Sequence, residues 1–591
     1  MHYTDSLFEA YAKVMPRGTA DEKNVYIVGS GMAALSAACF LVRDAHVPGS
    51  RIHILEKEAL AGGACDGYTF EGTGPVLRGD HRMEEQDMCL WDLLRSVPSA
   101  DDPACTVLDE CYQLSRLDPN YSLCRQTERR GEQARTGGSV RLTDSASREL
   151  LRFLFMPDEE LAGKQIGDVL SEEILASQLW FDFRTLYGFQ KEHGASELKR
   201  RLKSCLRSLK GMADMSAFLY PRYHFYDSVV MPVQQYLEKA GVQFHYGVSV
   251  TDVAFDCARG RKKVTRIDTI DSGEYDCIDL TEKDYVLITL GSCVENSTRG
   301  SADEAAFFHT ELQKGGGFDL WRRIAEQDPS FGHPEVFCLR PEETNRMSAT
   351  ILLRDGAVLP YIKKICRRDP FSGKTVTGGI VSVKDSAWML SWTVARQPLF
   401  RDQEKEQCIV WLEGLVTDAP GNYIMKPMRE CTGTEICEEW LWHLGVPEDR
   451  IAELAAGHAS CVQVMMPYVS SPLLPSEPGD RPDVVPEGSV NFAFLGQFAE
   501  TECDAAGSVE YAVRTGMEAA YTLFDIERGV PEAAAAAMDL RQLAEAFSAL
   551  RDGHSIRNPD LKRTQKAAVR AMLKHIRGTD AEKILKENRL L

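Results

Sequence analysis

No two of this chain's 17 cysteines stand as Cys-x-x-Cys. An odd, scattered set of thiols in 591 residues argues against a disulfide framework and for a reducing compartment, the cytoplasm. Also missing are a His-Glu-x-x-His pair, an EF-hand loop and a Walker loop, so no metal is expected. No apolar run opens the chain, which predicts neither a signal peptide nor a spanning helix. Positive charge is scarce: 68 Lys and Arg against 88 Asp and Glu leave a net charge of -20. That balance excludes a general nucleic-acid binder, which needs a basic footprint. What remains is a large soluble enzyme with length for about three or four domains.

The strongest positive signal is Asn24-Val25-Tyr26-Ile27-Val28-Gly29-Ser30-Gly31-Met32-Ala33-Ala34-Leu35, followed by Arg51-Ile52-His53-Ile54-Leu55-Glu56. It reads as strand, glycine turn, helix, second strand and terminal acid. Gly29 permits the turn, Gly31 lets the backbone approach a pyrophosphate, and Ala34 lets the helix pack on the strand. The first turn of the helix, Met32-Ala33-Ala34, offers unpaired N–H groups to phosphates. Glu56, about 20 residues past the turn, suits the hydroxyls of a ribose. Gly62-Gly63 lies just beyond it. A distant segment, Gly488–Gln497, carries a short strand and Gly496-Gln497, with a helix following from about Glu510 to Phe524. First and last segments meeting on one cofactor is the layout of glutathione-reductase-type FAD proteins, so FAD is favoured over NAD by analogy of fold. The strand Asp284–Leu290, ending at Gly291-Ser292, offers a further contact.

The fold expected is α/β, a glutathione-reductase-type Rossmann fold with a mixed α+β substrate domain, a helical cap region and a C-terminal helical tail. The boundaries expected are an irregular arm at 1–23 and FAD-binding segments at 24–144, 230–300 and 481–530. A helical cap at 145–229, a substrate domain at 301–480 and a helical region at 531–591 complete the chain. Residues 561–591 hold nine Lys or Arg against three acids, with Ala568, Val569, Met572, Leu573 and Ile576 at helical spacing. Such a helix lies on an anionic lipid surface, as a peripheral membrane contact, or docks on its own protein.

Spaced motifs along nearly the whole chain resemble the oleate hydratase family, the FAD proteins also called myosin-cross-reactive antigens. They include Leu60-Ala61-Gly62-Gly63, Cys89-Leu90-Trp91-Asp92-Leu93, Gly332-His333-Pro334, Thr377-Gly378-Gly379-Ile380, Glu439-Trp440-Leu441-Trp442-His443, Met466-Pro467-Tyr468 and Gly479-Asp480-Arg481-Pro482. The resemblance implies a cytoplasmic homodimer that binds FAD and holds a long-chain unsaturated fatty acid in a tunnel. Most members add water to a cis double bond. The resemblance also places Arg78 and Gly79 at the cofactor, and Met466 and Tyr468 with Thr393 at the substrate.

The active-site positions depart from the family pattern. Arg-Gly-Gly-Arg-Glu-Met appears as Arg78-Gly79-Asp80-His81-Arg82-Met83, so an arginine replaces the glutamate that activates water. The tyrosine that protonates the alkene is replaced by Arg201. Tyr-Asn-Gln-Tyr appears as Tyr223-His224-Phe225-Tyr226, and Ala395 and Leu399 replace an asparagine and a histidine beside Thr393. Arginine is neither an acid nor a base at neutral pH, but two guanidinium forks suit a carboxylate. The substrate's acid head is therefore expected near Arg82 and Arg201. Without the usual pair, the leading expectation is flavin-dependent double-bond isomerisation of a polyunsaturated fatty acid such as linoleate. His81, Glu84 and Glu85 are the candidate bases, and Tyr223 and Tyr226 the candidate donors. Hydration by acid and base recruited from the same residues is the alternative, and a silent lipid- or flavin-binding paralogue the third reading.

Overall fold

The apolar residues of Asn24–Val28 form strand β1 at the centre of a parallel sheet, where Val25 and Ile27 are fully buried. The structure, a computed structural model, describes residues 3–4, 22–70, 74–135, 140–501, 504–533, 539–551, 574 and 577–588. Helix α1 (Met32–Arg43) and strand β2 (Ile52–Glu56) follow β1. Later segments add β3 (Gln243–Tyr246), β4 (Asp284–Thr289), β5 (Phe492–Leu495) and helix α2 (Val509–Leu523). The strands pair in the order β3-β2-β1-β4-β5, every neighbour parallel. Strand order reverses between β1 and β4, which opens a crevice past their carboxyl ends; doubly wound sheets bind ligands there. Helices α1 and α2 meet closely: a Cβ on Gly516 would stand 2.6 Å from Ala33 O. An antiparallel meander, Val248–Ala258, Arg261–Asp271 and Glu274–Asp279, joins the same core through Val253, Val264 and Ile267. The α/β class and the two-part Rossmann layout are as expected.

A second, eight-stranded sheet builds the other large domain. Its strands run in the order Thr298–Arg299, Ala459–Met466, Arg346–Leu353, Cys408–Gly414, Leu390–Thr393, Val381–Val383, Gln126–Glu128 and Gln133–Arg135. Trp388, Trp392 and Trp440 fill its core. Its last two strands correct the expected boundary at 24–144, because that segment is shared between the two sheets. Arg125 fixes the crossing: it is fully buried and donates to Ser382 Oγ at 2.5 Å and Thr185 Oγ1 at 2.9 Å. Thr298–Arg299 likewise leaves the expected FAD segment to pair with Val464–Met465.

Helices from Asp144–Leu154 to Leu209–Met212 pack around Phe153, Trp180, Phe183 and Leu202. Ala546 and Leu550 enter the same core, so the helix Leu540–Ala549 belongs to the cap. The arm expected to be irregular supplies a short strand, Tyr3–Thr4, beside Val530–Pro531. In the basic tail, Ala568, Val569, Met572, Leu573 and Ile576 lie outside the described residues; the helix Asp580–Glu587 has no buried residue. Among the described residues no helix is long and apolar enough to cross a membrane.

Asp92 ties α1 to the chain after α2. Its carboxylate meets Arg43 at 2.7 Å and Arg95 and Arg528 at 2.6 Å each. Burial alone would raise its pKa, but Arg43 and Arg528, with Arg95, overcome that and hold it at about 2. Because the folded pKa is depressed, this stabilisation is complete above about pH 4 and is lost as pH falls through about 2. Asp92→Asn should cost about 3–5 kcal/mol at pH 7, since it strands buried arginines. Urea unfolding should show a smaller gap between wild type and variant at pH 3 than at pH 7. An equal gap at both would refute this account.

Candidate functional site

The glycine turn forms a cradle at the switch point. Gly29 has φ +87°, which a side chain rarely tolerates, and donates its N–H to Leu55 O at 2.8 Å. Gly31 caps α1, and a Cβ placed on it meets nothing within 4 Å. Met32, Ala33 and Ala34 are buried in the first turn, whose free N–H groups face that space. The second glycine turn closes in: Gly62 donates to Ser30 O at 2.9 Å, and a Cβ on Gly63 would lie 3.3 Å from Gly31 Cα. Glu56 accepts from Ser30 N at 2.8 Å and Ser30 Oγ at 2.6 Å on one oxygen, and from Glu58 N at 2.8 Å on the other.

Thr289, at the end of β4, was not singled out by sequence. Its buried Oγ1 has no aligned partner and lies 3.4 Å from a Cβ position on Gly29. Its position at the switch point is the signal that marks it. Arg78 pairs with Asp66 at 3.2 Å and donates to Gly63 O at 3.4 Å. Open space above a helix N-terminus, an acid after β2 and an unsatisfied hydroxyl between the strands fit FAD.

Three of the expected cofactor residues are engaged in the fold instead. A Cβ on Gly291 would lie 2.8 Å from the rings of Phe318 and Phe498, so this glycine serves packing. Ser292 Oγ accepts from Val294 N at 3.3 Å. Gln497 spans a loop, accepting from Gly507 N at 2.6 Å and donating to Ser508 O at 2.7 Å. Gly496, by contrast, sits at the crevice and donates to Thr515 Oγ1 at 3.0 Å.

Beside the cradle lies a cavity of about 40 Å³. A two-residue ribbon builds it. Met83–Glu84 pairs antiparallel with Phe218–Leu219, which brings the preceding loop Gly79–His81 against the following loop Tyr220–Phe225. The opposite wall comes from the second sheet, where Thr393 and Trp411 are direct cross-strand partners, with Ala395 and Leu399 beyond them. Leu77, Phe225, Leu399 and Trp411 make the lining largely apolar.

Six polar atoms in this wall are buried with no aligned partner: Asp80 Oδ2, the Tyr220 hydroxyl, Thr393 Oγ1, Trp411 Nε1 and both ring nitrogens of His224, whose Nε2 stands 3.0 Å from Asp227 Oδ2. Burial pushes Asp80 up to about 6, although Arg82 and the Tyr220 hydroxyl pull the other way. Burial pushes His81 down to about 4, so it is neutral at pH 7. Its Nε2 lies 3.1 Å from Ala64 O, which assigns the proton to that nitrogen. At the mouth, the Tyr223 ring is flanked by the guanidinium groups of Arg222 at 5.3 Å and Arg401 at 4.9 Å.

The cavity thus brings together Gly79, His81, Tyr223, Phe225, Thr393, Ala395 and Leu399 from the sequence reading. Asp80, Tyr220, Arg222 and Trp411 were missed as site residues. Arg82 and Arg201 are not in its wall. Arg82 Nη2 donates to Leu186 O and its guanidinium stacks on Phe218 at 5.5 Å. Arg201 stacks on Tyr187 at 5.0 Å and donates to Ala505 O at 3.3 Å. Glu84 is buried and accepts from Tyr187 OH at 3.2 Å and Ser208 Oγ at 2.6 Å, while Glu85 is exposed. Tyr226 packs toward Gly62, with a ring carbon 3.5 Å from a Cβ position there. Met466 packs with Val76, Val462 and Val464, and Tyr468 meets Phe318 edge-on at 5.3 Å, both away from the cavity.

The empty space at Gly31 separates folding from cofactor binding. Gly31→Ala should fold with the wild-type melting temperature measured without cofactor. It should retain FAD at least about tenfold less well, a loss of about 1.4 kcal/mol. Equal FAD content in both purified proteins would count against the cradle.

The chain matches the MCRA family model over residues 22–521. It is 40% identical over 599 residues to an oleate hydratase of Streptococcus pyogenes serotype M49 (strain NZ131), covering 100% of each. It is 24% identical over 528 residues to a linoleate hydratase of Lactiplantibacillus plantarum, covering 84% of this chain and 92% of that one. Among solved structures, a cyclohexylamine oxidase from Brevibacterium oxydans superposes with a TM-score of 0.48 at 12% identity, over 85% of this chain and 99% of that one. With a match of that length and a full-length relative at 40% identity, the chain belongs to the MCRA family.

Proposed function

We propose that this protein is a FAD-holding hydratase of long-chain unsaturated fatty acids. The observation that carries the reading is a largely apolar cavity whose unsatisfied polar atoms include a carboxyl, a phenol and a hydroxyl, set beside the dinucleotide cradle. The similarity to an oleate hydratase and a linoleate hydratase supports it. Hydration therefore replaces isomerisation as the leading reading. The isomerase argument rested on the loss of acid–base groups at positions 82 and 201, and the cavity carries such groups at other positions. FAD, when bound, supplies a flat polarisable ring system. The chain's own residues supply apolar walls that exclude bulk water and polar atoms that orient one molecule of it. The cytoplasmic setting, a homodimer and contact of the basic tail with anionic lipid belong to the same reading as proposals.

The carboxylate head is assigned to the mouth. Arg222 lines the cavity there, its side chain 52% exposed and 3.0 Å from Asp101. Arg396, the other arginine in the lining, is already paired with Asp118 at 2.7 Å, and Phe225, Ala395 and Leu399 make their side of the wall apolar.

Two measurements test the reading. FAD-loaded protein given oleate should yield a product heavier by one water, and linoleate should yield the same mass change with no conjugated-diene absorbance. A diene without added mass would restore the isomerase reading. In the second, Arg222→Gln should raise KM for the free acid about three- to tenfold, a modest effect because the group is half exposed, and leave KM for the methyl ester unchanged. Equal effects on acid and ester would move the head group elsewhere.

A further inference from the structure

We infer that Asp80 is the general acid of this site and Tyr220 its proton relay, so that the acid–base pair sits on the two loops set by the ribbon. This rests on the hydratase reading and names its chemistry. Asp80 lies on the loop before Met83–Glu84, Tyr220 on the loop after Phe218–Leu219, and the antiparallel pairing holds those loops face to face. Both residues line the cavity, and both present a polar atom with no aligned partner there. The Tyr220 hydroxyl is also positioned from behind: it stands 2.7 Å from where a Cβ of Gly379 would be, so only glycine leaves it room.

Chemistry decides the roles. An isolated alkene is a weak base and needs the strongest available proton donor. A carboxylic acid is a stronger acid than a phenol by about six pKa units in water, so the first proton comes from Asp80. His81 is spoken for by Ala64 O and lies neutral on Phe225, 5.4 Å between ring centres. In the forward step Asp80 gives its proton to one alkene carbon, forming a C–H bond. The oxygen of a water attacks the other carbon, forming a C–O bond. That water loses a proton to the Tyr220 oxygen as the phenol passes its own proton to the Asp80 carboxylate. The sum is one water added across one double bond, with both side chains restored and no change of oxidation state. Thr393 Oγ1 and Trp411 Nε1, on the facing strands, and the His224 ring are further groups that can hold the water.

The groups facing Asp80 are Arg82 on its own loop, Tyr220 on the opposite loop and Glu413 on the sheet; Arg125 faces Arg82 and Tyr220 in turn. Burial outweighs the nearby cation and keeps the carboxyl protonated up to about pH 6. Activity should therefore fall as pH rises past that point.

The test compares Asp80→Asn and Tyr220→Phe with wild type, using holoenzyme and oleate. Each variant is checked for an unchanged melting temperature and FAD content, and fatty-acid affinity is measured by displacement of a fluorescent fatty acid. Asp80→Asn should lose about a hundredfold or more in kcat with affinity unchanged, and its residual rate should lack the alkaline decline. Tyr220→Phe should lose at least about tenfold in kcat and keep that decline. Wild-type kcat in Asp80→Asn, or the same pH profile in both proteins, would overturn the assignment while leaving the hydratase reading intact. Absence of any hydroxy acid from wild-type protein would overturn both.

Discussion

Two residues of extended chain, Met83–Glu84, hold the site together by pairing with Phe218–Leu219. So short a ribbon has little stability of its own, and buried carboxyls brace it. Glu84 donates its N–H to Asp87 Oδ2 at 2.7 Å and accepts Trp91 Nε1–H on its carbonyl at 2.9 Å. Burial, with Glu510 and Glu84 nearby, holds Asp87 well above the usual carboxyl range. Glu510 accepts from Cys89 N at 3.1 Å and Leu90 N at 2.8 Å, and pairs with Arg514 at 2.9 Å. The helix after the ribbon is thus anchored to α2 at its N-terminus. If the ribbon slipped by one residue, every side chain on it would change face, and both cavity loops would lose their register.

This bracing gives the two unexpected arginines a physical role. Glu84 is buried, and a buried polar group needs partners. Tyr187 donates to it, and Arg201 stacks on Tyr187 while Arg82 donates to Leu186 on the same helix. Burial works against the charge of Arg201, but Tyr187 and Glu84 hold it protonated. Arg201 therefore stands between the ribbon and the helical cap, while Arg82 reaches the cap through Leu186 O and also faces Asp80 in the cavity wall. The loop Arg78–His81 touches both places: Arg78 contacts the Gly63 turn, while Gly79, Asp80 and His81 line the cavity.

What could be read from the sequence was local. The glycine turn, β1, β2, β4 and α2 were all legible because each rests on short-range patterning or on a backbone conformation that only glycine adopts easily. Phe225, Thr393, Ala395 and Leu399 came from resemblance and do reach one cavity. The pairs that matter most were invisible for a physical reason. Asp80 and Tyr220 are brought together by a strand pairing two residues long, too short for any periodicity. Thr393 and Trp411 meet through sheet register. Glu84 and Glu85 looked like bases because they adjoin the motif, yet the ribbon carries Glu84 toward Tyr187 and leaves Glu85 in solvent. The boundary at 24–144 failed similarly, since a strand cannot announce which sheet it will join.

The unsatisfied atoms of the cavity carry an energetic argument of their own. A buried polar group without a partner costs about 1–3 kcal/mol, so a polar partner that completes the cavity's groups stabilises the site. The walls around it are apolar, so the partner must be small and must make several hydrogen bonds at once. Water meets both conditions, because a buried water commonly makes about three hydrogen bonds. On the proposed function, an acyl chain entering past Arg222 meets Leu77, Phe225 and Leu399 but offers no hydrogen bond to Asp80, Tyr220, Thr393 or Trp411. That reading therefore keeps a water in place when the chain binds. Retaining water next to an alkene and a carboxylic acid is the condition that hydration requires.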